Sequence, residues 1–158
     1  MNPVSYSEKL VRMIFDTLSA HIAIIDDKGR ILAVNAAWKQ FSRNNSGKDG
    51  DFTGINYLTV CDAASEDGAG GAHAVAKGIR AVIQGTLSEF LYDYPCHSPE
   101  GKKWFYMRAV PMIEGKQVRV IVSHEDITEL KLAQEALKEQ NQSLEEANTA
   151  LKVLLGQR

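Results

Sequence analysis

The chain has 158 residues, about one domain's worth of polypeptide, with 44% hydrophobic and 24% charged residues, a composition suited to a packed globular core. Eighteen basic against twenty acidic side chains give a formal charge of -2, so no global electrostatic case for nucleic-acid binding survives. Apolar runs stop far short of the ~20 residues that span a bilayer. Met1-Asn2-Pro3-Val4 opens no signal-peptide pattern, and two cysteines, Cys61 and Cys96, are too few for a disulfide scaffold. A cytoplasmic single domain is expected.

Ser5 followed by Glu8 has capping-box spacing, and Leu10, Val11, Ile14 and Leu18 recur at helical intervals, predicting an amphipathic helix over 6–19. The period then changes to that of two strands, 21–25 and 30–34, joined by the turn Asp26-Asp27-Lys28-Gly29. Ala36, Ala37, Trp38 and Phe41 suggest a short helix over 35–41, and the turn formers of 43–54 a loop. A second loop covers 62–71. From Ala72 the apolar positions Val75, Ala76, Ile79, Val82 and Ile83 again have helical spacing, closed by Gly85.

Three alternating runs follow, at 87–96, 104–112 and 117–124, separated by Ser-Pro-Glu-Gly and Glu-Gly-Lys turns. They read as an antiparallel meander. Alternation puts Tyr92, Tyr94 and Cys96 in phase with Phe105, Met107, Ala109 and His124, all on the inward side. Past Asp126 the strand pattern ends. Asp126 is placed to cap a helix with Glu129 reaching back, and no Gly or Pro interrupts 129–155.

This order of elements resembles the PAS sensory domain over roughly 10–128. The carriers are Asp26-Asp27-Lys28-Gly29-Arg30-Ile31 with Val34-Asn35-Ala36-Ala37, then Gly54-Ile55-Asn56, Gly101-Lys102-Lys103-Trp104, Pro111-Met112 and Asp126-Ile127-Thr128. The resemblance implies an α+β fold, a five-stranded antiparallel sheet with flanking helices enclosing a small-ligand pocket. The organisation expected is an N-terminal cap helix at 1–20, the PAS domain at 21–128 and a signalling helix at 129–158. Residues 144–158 resemble the spacer of bacterial regulators whose PAS domain precedes a LuxR-type helix-turn-helix domain. A histidine kinase is the alternative effector, although no histidine follows His124 here.

An aromatic pocket with a few polar groups suits a small organic ligand. The expected lining is Cys96, His124, Phe105, Met107, Tyr92, Tyr94, Ala109 and Ile79. The competing reading is a filled core in which Cys96 and His124 simply pack. FMN photochemistry is disfavoured, because Tyr57 follows Gly54-Ile55-Asn56 where flavin photosensors carry their reactive cysteine. Their flavin-contacting polar positions would fall on Cys96, Phe105 and His124. Haem would require His73, which starts a helix away from its apolar stripe, with Cys96 or Met107 opposite. Cys61, His73, Cys96, His97 and His124 lack the short paired spacings of zinc sites. Gly68-Ala69-Gly70-Gly71 follows no strand and adjoins Glu66 and Asp67, so it is not a phosphate cradle. Hydrolase and nucleotide-binding motifs are missing, and a non-enzymatic sensor is expected.

Leu130, Leu137, Leu144 and Leu151 repeat every seven residues, which predicts a homodimer through a coiled coil, joined by the N-terminal helix. With leucine at d, the a row is Ile127, Gln134, Asn141, Asn148 and Leu155. The other phase pairs the leucines with Ala133, Gln140, Ala147 and Leu154. Asp126, Ile127 and Thr128 become the relay between sheet and helix. The rival from another class is a structural dimerisation module without a ligand.

Overall fold

The computed structural model describes residues 3–46, 52–64, 71–96 and 101–156. Helix α1 (Pro3–Thr17) leads into strands β1 (His21–Ile25) and β2 (Ile31–Val34), then helices α2 (Ala36–Ser46), α3 (Tyr57–Ala63) and α4 (Ala72–Ile83). Strands β3 (Phe90–Pro95), β4 (Trp104–Glu114) and β5 (Gln117–Asp126) follow, and α5 (Thr128–Leu155) ends the described chain. The strands form one antiparallel sheet in the order β2-β1-β5-β4-β3. Two local hairpin systems therefore meet at β1 and β5, the longest-range pairing of the sheet.

Register fixes which side chains share a face. Phe90, Ala109, Val122, Ala23 and Val34 form one row across the sheet. Tyr92, Met107, His124 and His21 form the next, and Tyr94, Phe105 and Asp126 the one beyond. The apolar stripe of α4, Val75, Ala76, Ile79 and Val82, covers this face, with Met107, Ala109, Val120 and Val122 fully buried beneath it. Glycine lets α4 approach: a Cβ at Gly78 would lie 2.4 Å from the Phe90 ring.

The β1–β2 turn closes as its residues suggest. Asp26 Oδ1 accepts from the backbone N–H of Lys28 and of Arg30, each at 2.9 Å, and Gly29 takes the positive φ of 92°. Asn35 ties three elements together from a fully buried position. Its Oδ1 accepts from Ile22 N and, as N-cap of α2, from Trp38 N, both at 3.0 Å. Its Nδ2 donates to the carbonyls of Phe15 at 3.1 Å and Ala20 at 2.9 Å.

Several boundaries differ from expectation. Helix α1 is already running at Ser5, so the Ser5–Glu8 pair does not mark its start. Helix α2 continues through Arg43 to Ser46, where turn-forming residues suggested loop; Arg43 lies in its last turn, where a cation complements the helix dipole. The seven-residue α3 was not anticipated; Asn56 caps it, accepting from Thr59 N at 3.0 Å. The Gly68–Gly70 part of the glycine-rich loop, and His97, lie outside the described residues.

Candidate functional site

His124 projects from β5 into a cluster of aromatic side chains. Tyr94 Oη lies 2.8 Å from its Nδ1 and Tyr57 Oη lies 3.2 Å from its Nε2. Trp38 packs on it at 5.8 Å between ring centroids, and Tyr94 stacks on Phe105 at the same spacing. Burial, with a smaller contribution from His21, lowers the His124 pKa to about 4. The imidazole is therefore neutral near pH 7, with one donor and one acceptor nitrogen.

Each imidazole nitrogen therefore has one tyrosine hydroxyl as its partner, one hydroxyl donating to the bare nitrogen and the other accepting from the N–H. The Cys61 thiol lies beside Tyr57 at the far side of the cluster. Burial, first among the causes, raises the pKa of Tyr57, Tyr94 and Cys61. Burial thus favours the neutral form of each of these groups.

The expected pocket residues divide accordingly. Met107, Ala109 and Ile79 are fully buried and Phe105 nearly so, while Tyr92, Tyr94 and His124 retain partial exposure. Cys96 requires correction. Strand β3 ends at Pro95, and Cys96 is exposed beyond it, although its backbone N still donates to Lys103 O at 2.8 Å. Alternation gives the phase of a strand but not its end. His73 is exposed on α4, its Nε2 2.8 Å from Ala64 O. Among the described residues, no group of three His, Cys, Asp or Glu side chains is arranged to hold a metal.

Tyr57 and Trp38 were not placed in the site by sequence. Tyr57 enters through the unanticipated α3, and Trp38 was assigned only to packing. The available signal was Asn56 as a cap, with Leu58 and Cys61 three residues apart and both buried.

An open groove of about 380 Å³ adjoins this cluster beyond Phe105. His21, Phe41 and Phe105 line it together with Ala36, Ala37 and Gln40 of α2's first turns. Asp16, Lys103 and Asp126 complete it. Asp126 thus belongs both to the groove and to the junction with α5. Its Oδ1 accepts from Thr128 N at 2.9 Å and from Thr128 Oγ1 at 2.5 Å. Although burial opposes it, bonding to Thr128 aided by the charges of Lys103 and His21 holds this carboxyl below its usual range. Ile127, rather than Asp126, occupies the N-cap position, and no side-chain cap bond is made there. Ile127 N donates to Trp104 O at 2.9 Å, and Trp104 N donates to Thr128 Oγ1 at 3.2 Å. Lys131 Nζ reaches Asp93 Oδ2 at 2.8 Å, joining the first turn of α5 to β3.

A five-stranded antiparallel sheet covered by short helices, with a helix leaving its last strand, defines a PAS-type α+β domain. A family model described as the PAS fold matches residues 15–132. The chain belongs to this family, whose members are generally sensory. It is 38% identical over 125 residues to an uncharacterized 104.1 kDa protein in the hypE 3′ region of Rhodobacter capsulatus. That alignment covers 76% of this chain and 13% of the relative, so the chain spans only a small part of the relative's length. Similar solved structures include the PAS domain of a Colwellia psychrerythraea protein, with TM-score 0.55, 14% identity and coverage of 78% of this chain and 98% of that one. The PAS domain of Bordetella pertussis BvgS superposes with TM-score 0.54 at 18% identity, covering 86% of this chain and 96% of that one. No helix among the described residues is long and apolar enough to cross a membrane.

Proposed function

We propose that this chain is the non-enzymatic, cytoplasmic input module of a larger regulator. A small organic molecule at the aromatic end of the sheet alters the packing of Tyr92, Tyr94, Phe105, Met107 and His124, backed by Ala109 and Ile79. Asp126, Ile127 and Thr128 pass the change into α5, which pairs with α5 of a second copy. The output is a covalently linked DNA-binding domain, in keeping with the resemblance of residues 144–158 to a LuxR-type spacer. The domain limits are those expected from sequence: cap helix 1–20, sensor 21–128, signalling helix 129–158.

The interlock at Trp104 carries this proposal. Both its backbone N–H and its C=O are bonded to the first residues after β5, so a shift of β4 against β5 reaches α5 without a flexible linker. Beyond that junction α5 buries none of its residues, and Leu130, Leu137, Leu144 and Leu151 are all more than half exposed. A leucine row at that exposure on a projecting helix calls for a partner.

Sedimentation equilibrium tests the proposal. The full chain should be dimeric at micromolar concentration, and Leu137→Glu with Leu144→Glu should make it monomeric while leaving the sheet folded. A wild-type chain that stays monomeric at high micromolar concentration overturns the relay.

A further inference from the structure

We infer that the edge strand β3 is a lever between the aromatic cluster and α5, with the Asp93–Lys131 ion pair as its linkage. Asp93 and Lys131 are then positioning residues for the signalling helix. The inference deepens the sensory reading above and rests on it for the purpose of the coupling, not for the coupling itself.

Alternation gives β3 two working faces. On the inward face, the Phe90 ring lies so close to Gly78 of α4 that no Cβ fits between them. The Tyr92 hydroxyl stands equally close to Gly71, the residue that opens α4. Tyr94 Oη lies 2.8 Å from His124 Nδ1. The three rings stack in order along the strand, Phe90 on Tyr92 at 6.1 Å and Tyr92 on Tyr94 at 6.2 Å between centroids. Rearrangement around His124 is therefore passed along β3. On the outward face, between Tyr92 and Tyr94, stands Asp93, whose Oδ2 is 2.8 Å from Lys131 Nζ.

The linkage skips a strand. Asp93 pairs with Tyr106 of β4, and Tyr106 with Glu125 of β5, so a side chain on the helix that follows β5 engages the strand two places away. Trp104 fastens the start of α5 to β4, and Lys131, one turn on, fastens it to β3. One attachment leaves a helix free to pivot; two attachments on different strands set its direction. Strand β3 has a neighbour on one side only, so it can shift without breaking a second ladder. The Lys131 side chain is 30% exposed, and its hydrogen bond, then its charge, hold the Asp93 carboxyl below the usual range.

Amide hydrogen exchange on the full chain tests the lever at Leu132, Ala133 and Gln134, in the second turn of α5, with Val120 and Val122 reporting on the core. Asp93→Asn and Lys131→Met should each speed exchange in α5 roughly three-fold and leave the core amides unchanged. High salt should shrink that difference. Reversal of the pair, Asp93→Lys with Lys131→Asp, should restore slow exchange, which loss of packing alone would not allow. Tyr94→Phe, which removes only the hydroxyl bonded to His124, should speed the same α5 amides in the wild type but add nothing in the Asp93→Asn background. Three results would each overturn the lever: α5 exchange indifferent to Asp93→Asn, a reversed pair no better than the single variants, or Tyr94→Phe acting equally, or not at all, in both backgrounds. The two proposals fail separately: a chain that sediments as a dimer without this coupling removes the lever alone, whereas coupling in a monomeric chain removes the dimeric relay alone.

Discussion

His124 illustrates how much of this domain's chemistry is decided by enclosure. Its folded pKa of about 4 lies below the ordinary 6.5, so as pH falls the unfolded chain takes up the proton first. Stability from this residue is therefore complete above about pH 6.5 and is lost as pH falls through the window between 6.5 and 4. The His21 pKa, lowered by burial against the opposing charge of Asp126, acts in the same direction. Melting temperature against pH should fall through this window in the wild type and less steeply in His124→Gln; an imidazole that titrates near 6.5 by NMR would contradict the enclosure. Asn35 is the second residue on which much depends. Asn35→Ala leaves the buried Ile22 N–H without its acceptor and removes the cap of α2, a loss of about 3 kcal/mol from two such defects. Urea denaturation with an unchanged m-value measures it, and a loss under about 1 kcal/mol would mean that water replaces the amide.

At the level of elements, the junction between β5 and α5 turns on the short Asp126–Thr128 bonds. Asp126→Ala removes the two bonds from Thr128 and should cost on the order of 1 kcal/mol, speeding amide exchange at Glu129, Leu130 and Lys131. Unchanged melting and exchange would show that Trp104 alone holds the turn. The elements themselves were legible wherever apolar spacing was sustained: the stripe of α4, the alternation of β4 and β5, and the heptads of α5. Helix α3 escaped because seven residues with two buried positions barely establish a period. The last turn of α2 escaped because Arg43, Asn44, Asn45 and Ser46 have loop composition while the helix carries on. The site was legible only in part. Strand phase put His124, Tyr94, Met107 and Phe105 on one face, but Tyr57 meets His124 across 67 residues of sequence, and no local pattern encodes that pairing. The same phase rule misplaced Cys96, since it assumes a strand that in fact stops one residue earlier.

For the whole molecule, the controlling feature is the contrast between a domain packed around Met107 and Val122 and a helix about 40 Å long with no buried residue. The apolar face of α1 is also uncovered: Leu10, Val11, Met13 and Ile14 are each at least 45% exposed. Helix α1 is anchored through Asn35 to β1 and α2, so a dimer that covered this face would bring the two domains together as well as the two helices. A parallel, in-register pair of α5 helices leaves two seams open, because the leucine row fits either a or d. With leucine at d, Asn141 faces its counterpart across the axis; with leucine at a, Gln140 does. Asparagine at a is the better-attested device for fixing a two-stranded register, so the first phase is expected. Single cysteines placed at 141 and at 140, in a background with the exposed Cys96 changed to serine, distinguish them under mild oxidation. Asn141→Cys should give a disulfide-linked dimer rapidly and Gln140→Cys slowly. The opposite order would move the seam to Ala133, Gln140, Ala147 and Leu154, and equal rates at both positions would indicate a helix pair that exchanges between the two packings.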